Sequence, residues 1–374
     1  MTETYVLDIL EKVFDDKELS FDEVLDLFES EGEETSLVLE AADKLRSRVC
    51  GDIITYVKVR NINFTNICLT GCLFCAFGRR PSDEDAYRLT LDEIAKISEE
   101  AYKRGATEVC LQGGIDPFLD GKFYLDILKT IKNIVPDIHI HAFSPFEILT
   151  AAKKMGVTIN EFLLMLKDNG LGSIPGTAAE IFNPEIRNRL CKNKLRGEEW
   201  IDVIKKAHSL DIPTTATMMY GHIEKPCHWV EHLMIIRDIQ KETGGFTEFI
   251  PLGFIHPNTK LYLNGGARPG ATQEEHLKIH AISRLVLHPY IKNIQVSWVK
   301  LGKDIAQYIL KNAGANDFGG TLMNENITRS AGGTNGEYIS ETEIRERIES
   351  INRIPARRDT LYNILKIYKP VVVI

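Results

Sequence analysis

The stretch Thr65-Asn-Ile-Cys68-Leu-Thr-Gly71-Cys72-Leu-Phe74-Cys75-Ala-Phe77-Gly-Arg79 sets three cysteines within eight residues at the spacing C-x3-C-x2-C. Three thiolates this close can hold three corners of a 4Fe-4S cube and leave the fourth iron without a protein ligand. Clusters that only pass electrons normally fill all four corners with cysteine. An open iron is what a cluster needs if it is to bind a second cofactor. Gly71 and the polar lead-in Thr65-Asn66 mark a loop rather than a buried stripe.

Other uses of cysteine fit less well. A structural zinc site draws its four ligands from two C-x2-C-like pairs, and Cys50, Cys110, Cys191 and Cys227 stand singly along the chain. A disulfide framework suits neither an odd total of 7 cysteines nor a start, MTETYVLDILEKVF, that is acidic and lacks the basic n-region of a secretory leader. Unpaired cysteines point to a reducing cytoplasm. The 374 residues are 44% hydrophobic and 26% charged, as in ordinary globular proteins, with a formal net charge of −8. No long basic run offers a footing for nucleic acid. No apolar run approaches the ~20 residues of a membrane span.

The pattern around the cysteines is a strand–helix alternation. Residues 1–50 read as a helical extension, with Ser20 and Glu23 spaced as a capping box. From residue 51 short apolar runs alternate with capped helices, and strands are expected at 53–59, 108–111, 138–142, 172–174, 214–219, 248–250 and 293–298, with a short one before Asp317. Thr90 with Glu93, Thr158 with Glu161, Thr272 with Glu275 and Ser340 with Glu343 repeat the box. About eight alternations make an α/β fold, a (β/α)8-type barrel over residues 51–325. An open six-stranded barrel shares the same repeat. Residues 326–374 read as a C-terminal helical segment packed on the barrel, available to cover its mouth.

Barrel chemistry gathers at the C-terminal strand ends. The cysteine loop follows the first strand there, and Gln112-Gly113-Gly114 the second. His139 and His141, two apart on one strand face, close the third. Pro175-Gly176-Thr177 with Glu180 follows the fourth, and Tyr220-Gly221-His222 the fifth. If their face points inward, the histidines could position or deprotonate a substrate near neutral pH. Core histidines satisfied by the fold are the alternative, and Tyr220 and His222 carry the same pair of readings.

The cysteine motif, with Phe74 before its last cysteine, resembles the radical S-adenosylmethionine (SAM) superfamily. Further stretches, EVCLQGGIDP, GSIPGTAAEI, NIQVSWVKLG, GANDFGGTLMNENITRSAG and IPARRDTLY, resemble one subgroup of it. That subgroup holds the two deazaflavin (FO) synthase activities and the menaquinone enzymes aminofutalosine synthase and its cyclase partner. HAFSPFEI, MMYGH and TEFIPLGFIHP are most similar to the benzyl-transferring family of FO synthase, its subunit 2.

The resemblance implies a 4Fe-4S cluster on Cys68, Cys72 and Cys75 and SAM on the open iron. It implies Phe74 near the adenine, Gln112, Gly113 and Gly114 at the methionine amino group, and Glu180 at the ribose. Glycines would let backbone carbonyls approach the ligand, although the acidic residue expected next is replaced by Ile115. An ordinary strand-ending turn, and a helix-start carboxylate for Glu180, are the structural alternatives. The implied reaction joins the 4-hydroxybenzyl group of L-tyrosine to C5 of 5-amino-6-(D-ribitylamino)uracil and releases 2-iminoacetate. It implies an electron donor and a cyclising partner, FO synthase subunit 1, in coenzyme F(420) biosynthesis. Aminofutalosine synthase is the alternative within the superfamily. A zinc-stabilised, non-catalytic binding protein is the alternative outside it.

Overall fold

The computed structural model describes residues 3–368. The N-terminal extension forms three helices, Glu3–Phe14, Phe21–Glu29 and Glu33–Cys50. Ser20 and Glu23 close the expected box, each satisfying the other's free backbone N–H. The extension is fastened to the barrel's outer helices: Phe28 meets Trp229 at 5.3 Å between ring centres, and Arg237 donates to the Leu19 carbonyl.

Among the described residues nine strands follow: β1 (Ile53–Val57), β2 (Val59–Ile62), β3 (Glu108–Leu111), β4 (His139–Ala142), β5 (Thr214–Tyr220), β6 (Phe246–Gly253), β7 (Asp317–Gly320), β8 (Ile354–Arg358) and β9 (Ile364–Ile367). The first expected strand is therefore two, interrupted at Lys58. The break lets it change neighbour: β1 pairs with β7 and β8, whereas β2 pairs with β3. The fourth and seventh stations are single parallel bridges rather than strands. His141–Ser173 and Ile174–Thr214 link β4 to β5, and Phe249–Ile294 and Gln295–Asp317 link β6 to β7. Pro175 ends one of them by lacking an N–H, and the helix Trp298–Leu301 ends the other. With these bridges the parallel ring closes through β7 and β1, so the open six-stranded alternative is set aside.

The C-terminal segment departs from expectation. It holds the helices Asn326–Ser330 and Glu341–Ser350 but then turns to strand, and only half of the expected box forms, Ser340 accepting from the Glu343 N–H while the Glu343 carboxylate pairs with Lys303. Strand β8 runs parallel to β1 from Ile354 opposite Ile53 to Arg358 opposite Val57. It thus lies at the start of the barrel strands, the end away from the cysteine loop. Arg358, 1% exposed, points into the barrel and donates to both oxygens of Asp317 at 2.5 and 3.1 Å, with Glu248 at 3.5 Å. Thr360 donates to Glu108 and Tyr362 to Glu248. The tail plugs the floor of the barrel, and the mouth is rimmed instead by residues 322–331.

Candidate active site at the barrel mouth

One cavity of about 400 Å³ occupies the barrel from its polar floor to its mouth and draws lining residues from all eight strand positions. The cysteine loop forms part of its wall. Thr65 Oγ1 accepts from the Ile67 N–H at 3.1 Å, and Asn66 accepts from the Tyr87 N–H at 2.7 Å, so the polar lead-in shapes the loop. Gly71 adopts φ +74°, a left-handed turn that glycine enters without steric penalty. Cys68, Cys72 and Cys75 all line the cavity as free thiols. Among the described residues no three His, Cys, Asp or Glu side chains gather tightly enough to hold a single metal ion. A cube of irons and sulfides is larger than an ion and takes its ligands from farther apart, so three thiols on one cavity-lining loop fit a 4Fe-4S cluster.

Cys191 is not the isolated residue that its sequence position implies. The Leu73 N–H donates to the Leu190 carbonyl at 2.9 Å, and this strap carries Cys191 Sγ to within 3.0 Å of Cys72 Sγ. No local pattern could reveal a neighbour 119 residues away.

The Gln112-Gly113-Gly114 turn lies beside the cysteine loop, and its glycines have a packing reason of their own. A Cβ on Gly113 would sit 2.6 Å from the Phe64 ring. One on Gly114 would collide with the Ile67 carbonyl and come within 2.9 Å of Cys68 Cβ. The glycines admit the protein's own cysteine loop. Gly114→Val is therefore expected to lower iron content as well as SAM binding, measured by iron per polypeptide after reconstitution and by equilibrium dialysis of SAM. Full iron loading with only SAM lost would return the turn to a purely ligand-facing role.

An acidic residue does stand at this turn, supplied by the helix that follows β4. Glu147, 1% exposed, forms a box with Ser144 that starts the helix Pro145–Met155, and its second oxygen accepts the Gly113 N–H at 3.0 Å. Burial pushes its carboxyl up to about 7, against the pull of those hydrogen bonds. The S-x-x-E spacing of Ser144-Pro-Phe-Glu147 was the sequence signal for this residue.

Across the cavity, Glu180 sits at φ +51°, unusual for a side chain larger than glycine. Its carboxylate pairs with Lys194 at 2.9 Å, and both line the cavity. Burial works to raise the Glu180 pKa, but the ammonium beside it holds it below the ordinary carboxylate value. The helix-start alternative for Glu180 does not apply, because the next helix begins only at Pro184 with Asn183 as its cap. The Lys194 ammonium lies 5.3 Å from the Phe74 ring centre, so the aromatic of the cysteine motif and Glu180 face one cation. Arg187 holds the loop in shape: its buried guanidinium donates to the carbonyls of Ala178, Ala179, Ile181 and Leu195.

The four polar candidates divide. His139 and His141 share a face as expected, both bonded to Ser173 Oγ, at 2.7 and 2.6 Å. Of the two, His141 lines the cavity, and among the described residues its Nε2 has no hydrogen-bond partner. Burial lowers its pKa to about 3, and that of His139 to about 4. The imidazole is neutral at neutral pH and is a hydrogen-bonding group rather than a proton switch. Tyr220 and His222 do not reach the cavity. Tyr220 is fully buried with its hydroxyl on His276 at 2.8 Å, and His222 is locked against the Met219 carbonyl and Glu224. Strand alternation turned Tyr220 outward from the barrel.

Residues 62–236 match the Radical SAM superfamily, and residues 243–371 match the CofH/MqnC C-terminal region. The chain is 53% identical to the 5-amino-6-(D-ribitylamino)uracil--L-tyrosine 4-hydroxyphenyl transferase of Methanocaldococcus jannaschii over 94% of this chain and 99% of that protein. It is 50% identical to the FO synthase of Mycobacterium leprae over 91% of this chain but 39% of that longer protein. Among solved structures, methylornithine synthase (PylB) superposes with a TM-score of 0.73 at 18% identity, covering 93% of this chain and 97% of its own. The FeFe-hydrogenase maturase HydG from Carboxydothermus hydrogenoformans gives 0.71 at 18%, covering 96% and 80%, and both likenesses speak for the barrel alone. The chain belongs to the radical SAM superfamily and, within it, to the family of 5-amino-6-(D-ribitylamino)uracil--L-tyrosine 4-hydroxyphenyl transferases.

Proposed function

We propose that this enzyme transfers the 4-hydroxybenzyl group of L-tyrosine to C5 of 5-amino-6-(D-ribitylamino)uracil, releasing 2-iminoacetate, in the biosynthesis of the FO chromophore. The observation that carries the reading is the 53% identity over almost the whole chain to a transferase of that name, joined to a cavity lined by all three motif cysteines. Cys68, Cys72 and Cys75 would hold a 4Fe-4S cluster, which would supply the electron for reductive cleavage of SAM. The protein's part is to bind, orient and exclude water.

Glu147 and the Gly113-Gly114 backbone suit the cationic amino group of SAM's methionine portion, with Gln112 beside them. Glu180 offers a carboxylate to ribose hydroxyls, held ionised by Lys194, and Phe74 supplies an aromatic face for the adenine. Deeper in the lumen, His141 Nε2 and the carboxylates of Glu108 and Glu248 give a hydrogen-bonding lining for the polar uracil and its ribityl chain. A low-potential electron donor and a ring-closing partner, FO synthase subunit 1, complete the scheme. The extra length of the M. leprae FO synthase supports the partner, since it leaves room for a second unit in one polypeptide. The free cysteines suit a reducing, cytoplasmic setting. No described helix is long and apolar enough to cross a membrane.

The test is anaerobic incubation of the reconstituted protein with SAM, reductant, ring-labelled tyrosine and the ribityl diaminouracil. A ring-labelled adduct, with deoxyadenosine formation dependent on tyrosine, is expected by mass analysis. No adduct, together with rapid SAM cleavage on the menaquinone precursor, would assign the chain to aminofutalosine synthase.

A further inference from the structure

We infer that Lys300 and Glu325 form the receptor for the α-carboxylate and α-ammonium of the amino-acid substrate. The inference rests on the proposed use of tyrosine and names the side chains that select it. An amino acid is a zwitterion, so a site that recognises one needs a cation and an anion that face the same space without neutralising each other.

The lumen offers one such pair. Lys300 lies in the helix Trp298–Leu301 after the seventh strand position, and Glu325 in the segment after β7; both line the cavity. Among the described residues Lys300 makes no ion pair, its ammonium meeting only Thr328 Oγ1 at 3.2 Å. Glu325, 8% exposed, likewise makes no ion pair, one oxygen accepting the Thr328 N–H at 2.8 Å. Thr328 therefore touches both charges and spaces them.

The other lining cation, Lys194, is already paired with Glu180. Arginines that could take a carboxylate are engaged elsewhere: Arg79 pairs with Asp85, Arg88 with Asp116, Arg268 with Glu275 and Arg329 with Glu337, while Arg80 is exposed. None of the five lines the cavity.

The experiment is equilibrium dialysis of cluster-loaded protein, held with methionine and 5′-deoxyadenosine so that no turnover occurs. Three ligands are used: L-tyrosine, tyramine, which lacks the carboxylate, and 3-(4-hydroxyphenyl)propanoate, which lacks the amine. Lys300→Gln is expected to weaken tyrosine and the propanoate about 10- to 100-fold, as for loss of a hydrogen bond to a charged group, and to leave tyramine unchanged. Glu325→Gln should weaken tyrosine and tyramine and spare the propanoate, and Lys300→Arg should restore part of the tyrosine affinity. A misfolded variant would lose all three ligands alike, so the crossed pattern carries the assignment. Wild-type protein that binds tyrosine while Lys300→Gln binds it equally well, or loses the three ligands in parallel, overturns the inference alone. Wild-type protein that binds no tyrosine overturns both the inference and the proposed function.

Discussion

Cys72→Ala protein, reconstituted anaerobically with iron and sulfide, is expected to lack the brown iron–sulfur absorption and to cleave no SAM. Cys68→Ala and Cys75→Ala should behave alike. Each change would remove one of the three proposed protein ligands, and a cube held at two corners loses iron. The comparison that isolates this effect is Cys50→Ala, Cys110→Ala and Cys227→Ala, which should retain full iron content. Cys191→Ala is the sharper control, because its sulfur lies 3.0 Å from that of Cys72. It should still load iron and cleave SAM, since a cluster that binds SAM keeps one iron free of protein. Iron loading and turnover that survive in Cys72→Ala but vanish in Cys191→Ala would exchange the roles of the two residues. Colourless protein carrying zinc would favour the non-catalytic alternative.

The second large effect lies at the floor of the barrel. Arg358→Met leaves the buried carboxylates of Asp317 and Glu248 without their cation while the side-chain volume is nearly kept. Breaking one side of a buried ion pair costs about 3–5 kcal/mol, because the remaining charge is left unpaired away from water. That is a large share of a typical folding free energy of about 5–15 kcal/mol. The variant is expected to unfold at markedly lower denaturant concentration, followed by circular dichroism. Arg357→Met is the matched control: its side chain is 29% exposed and reaches Glu341 only at 3.9 Å, so it should cost about 1 kcal/mol or less. Equal midpoints for the two variants would mean that the plug contributes nothing to closing the barrel.

Much of this protein was legible in local sequence. Capping boxes announced the starts of the helices Phe21–Glu29, Leu91–Lys103, Ile159–Asp168 and Gln273–Leu287, because the box is satisfied entirely within four consecutive residues. The cysteine loop was legible for the same reason: its three cysteines, its turn glycine and its polar struts lie within eleven residues, Thr65 to Cys75. The alternation of strand and helix dictated the barrel, and the barrel dictated which loops would meet.

Tertiary structure decided what depends on contacts between distant segments. Strand β8 contains Pro355 and two arginines and has no strand signature of its own. It is a strand because β1 presents an open edge and Asp317 and Glu248 need a cation. Glu147 and Lys194 gained their places through partners 34 and 14 residues away, Gly113 and Glu180. Tyr220 ends the right strand and His222 lies two residues beyond it, but neither side chain reaches the lumen. Strand position sets how far along the barrel a side chain lies; only the pairing register sets which face it shows.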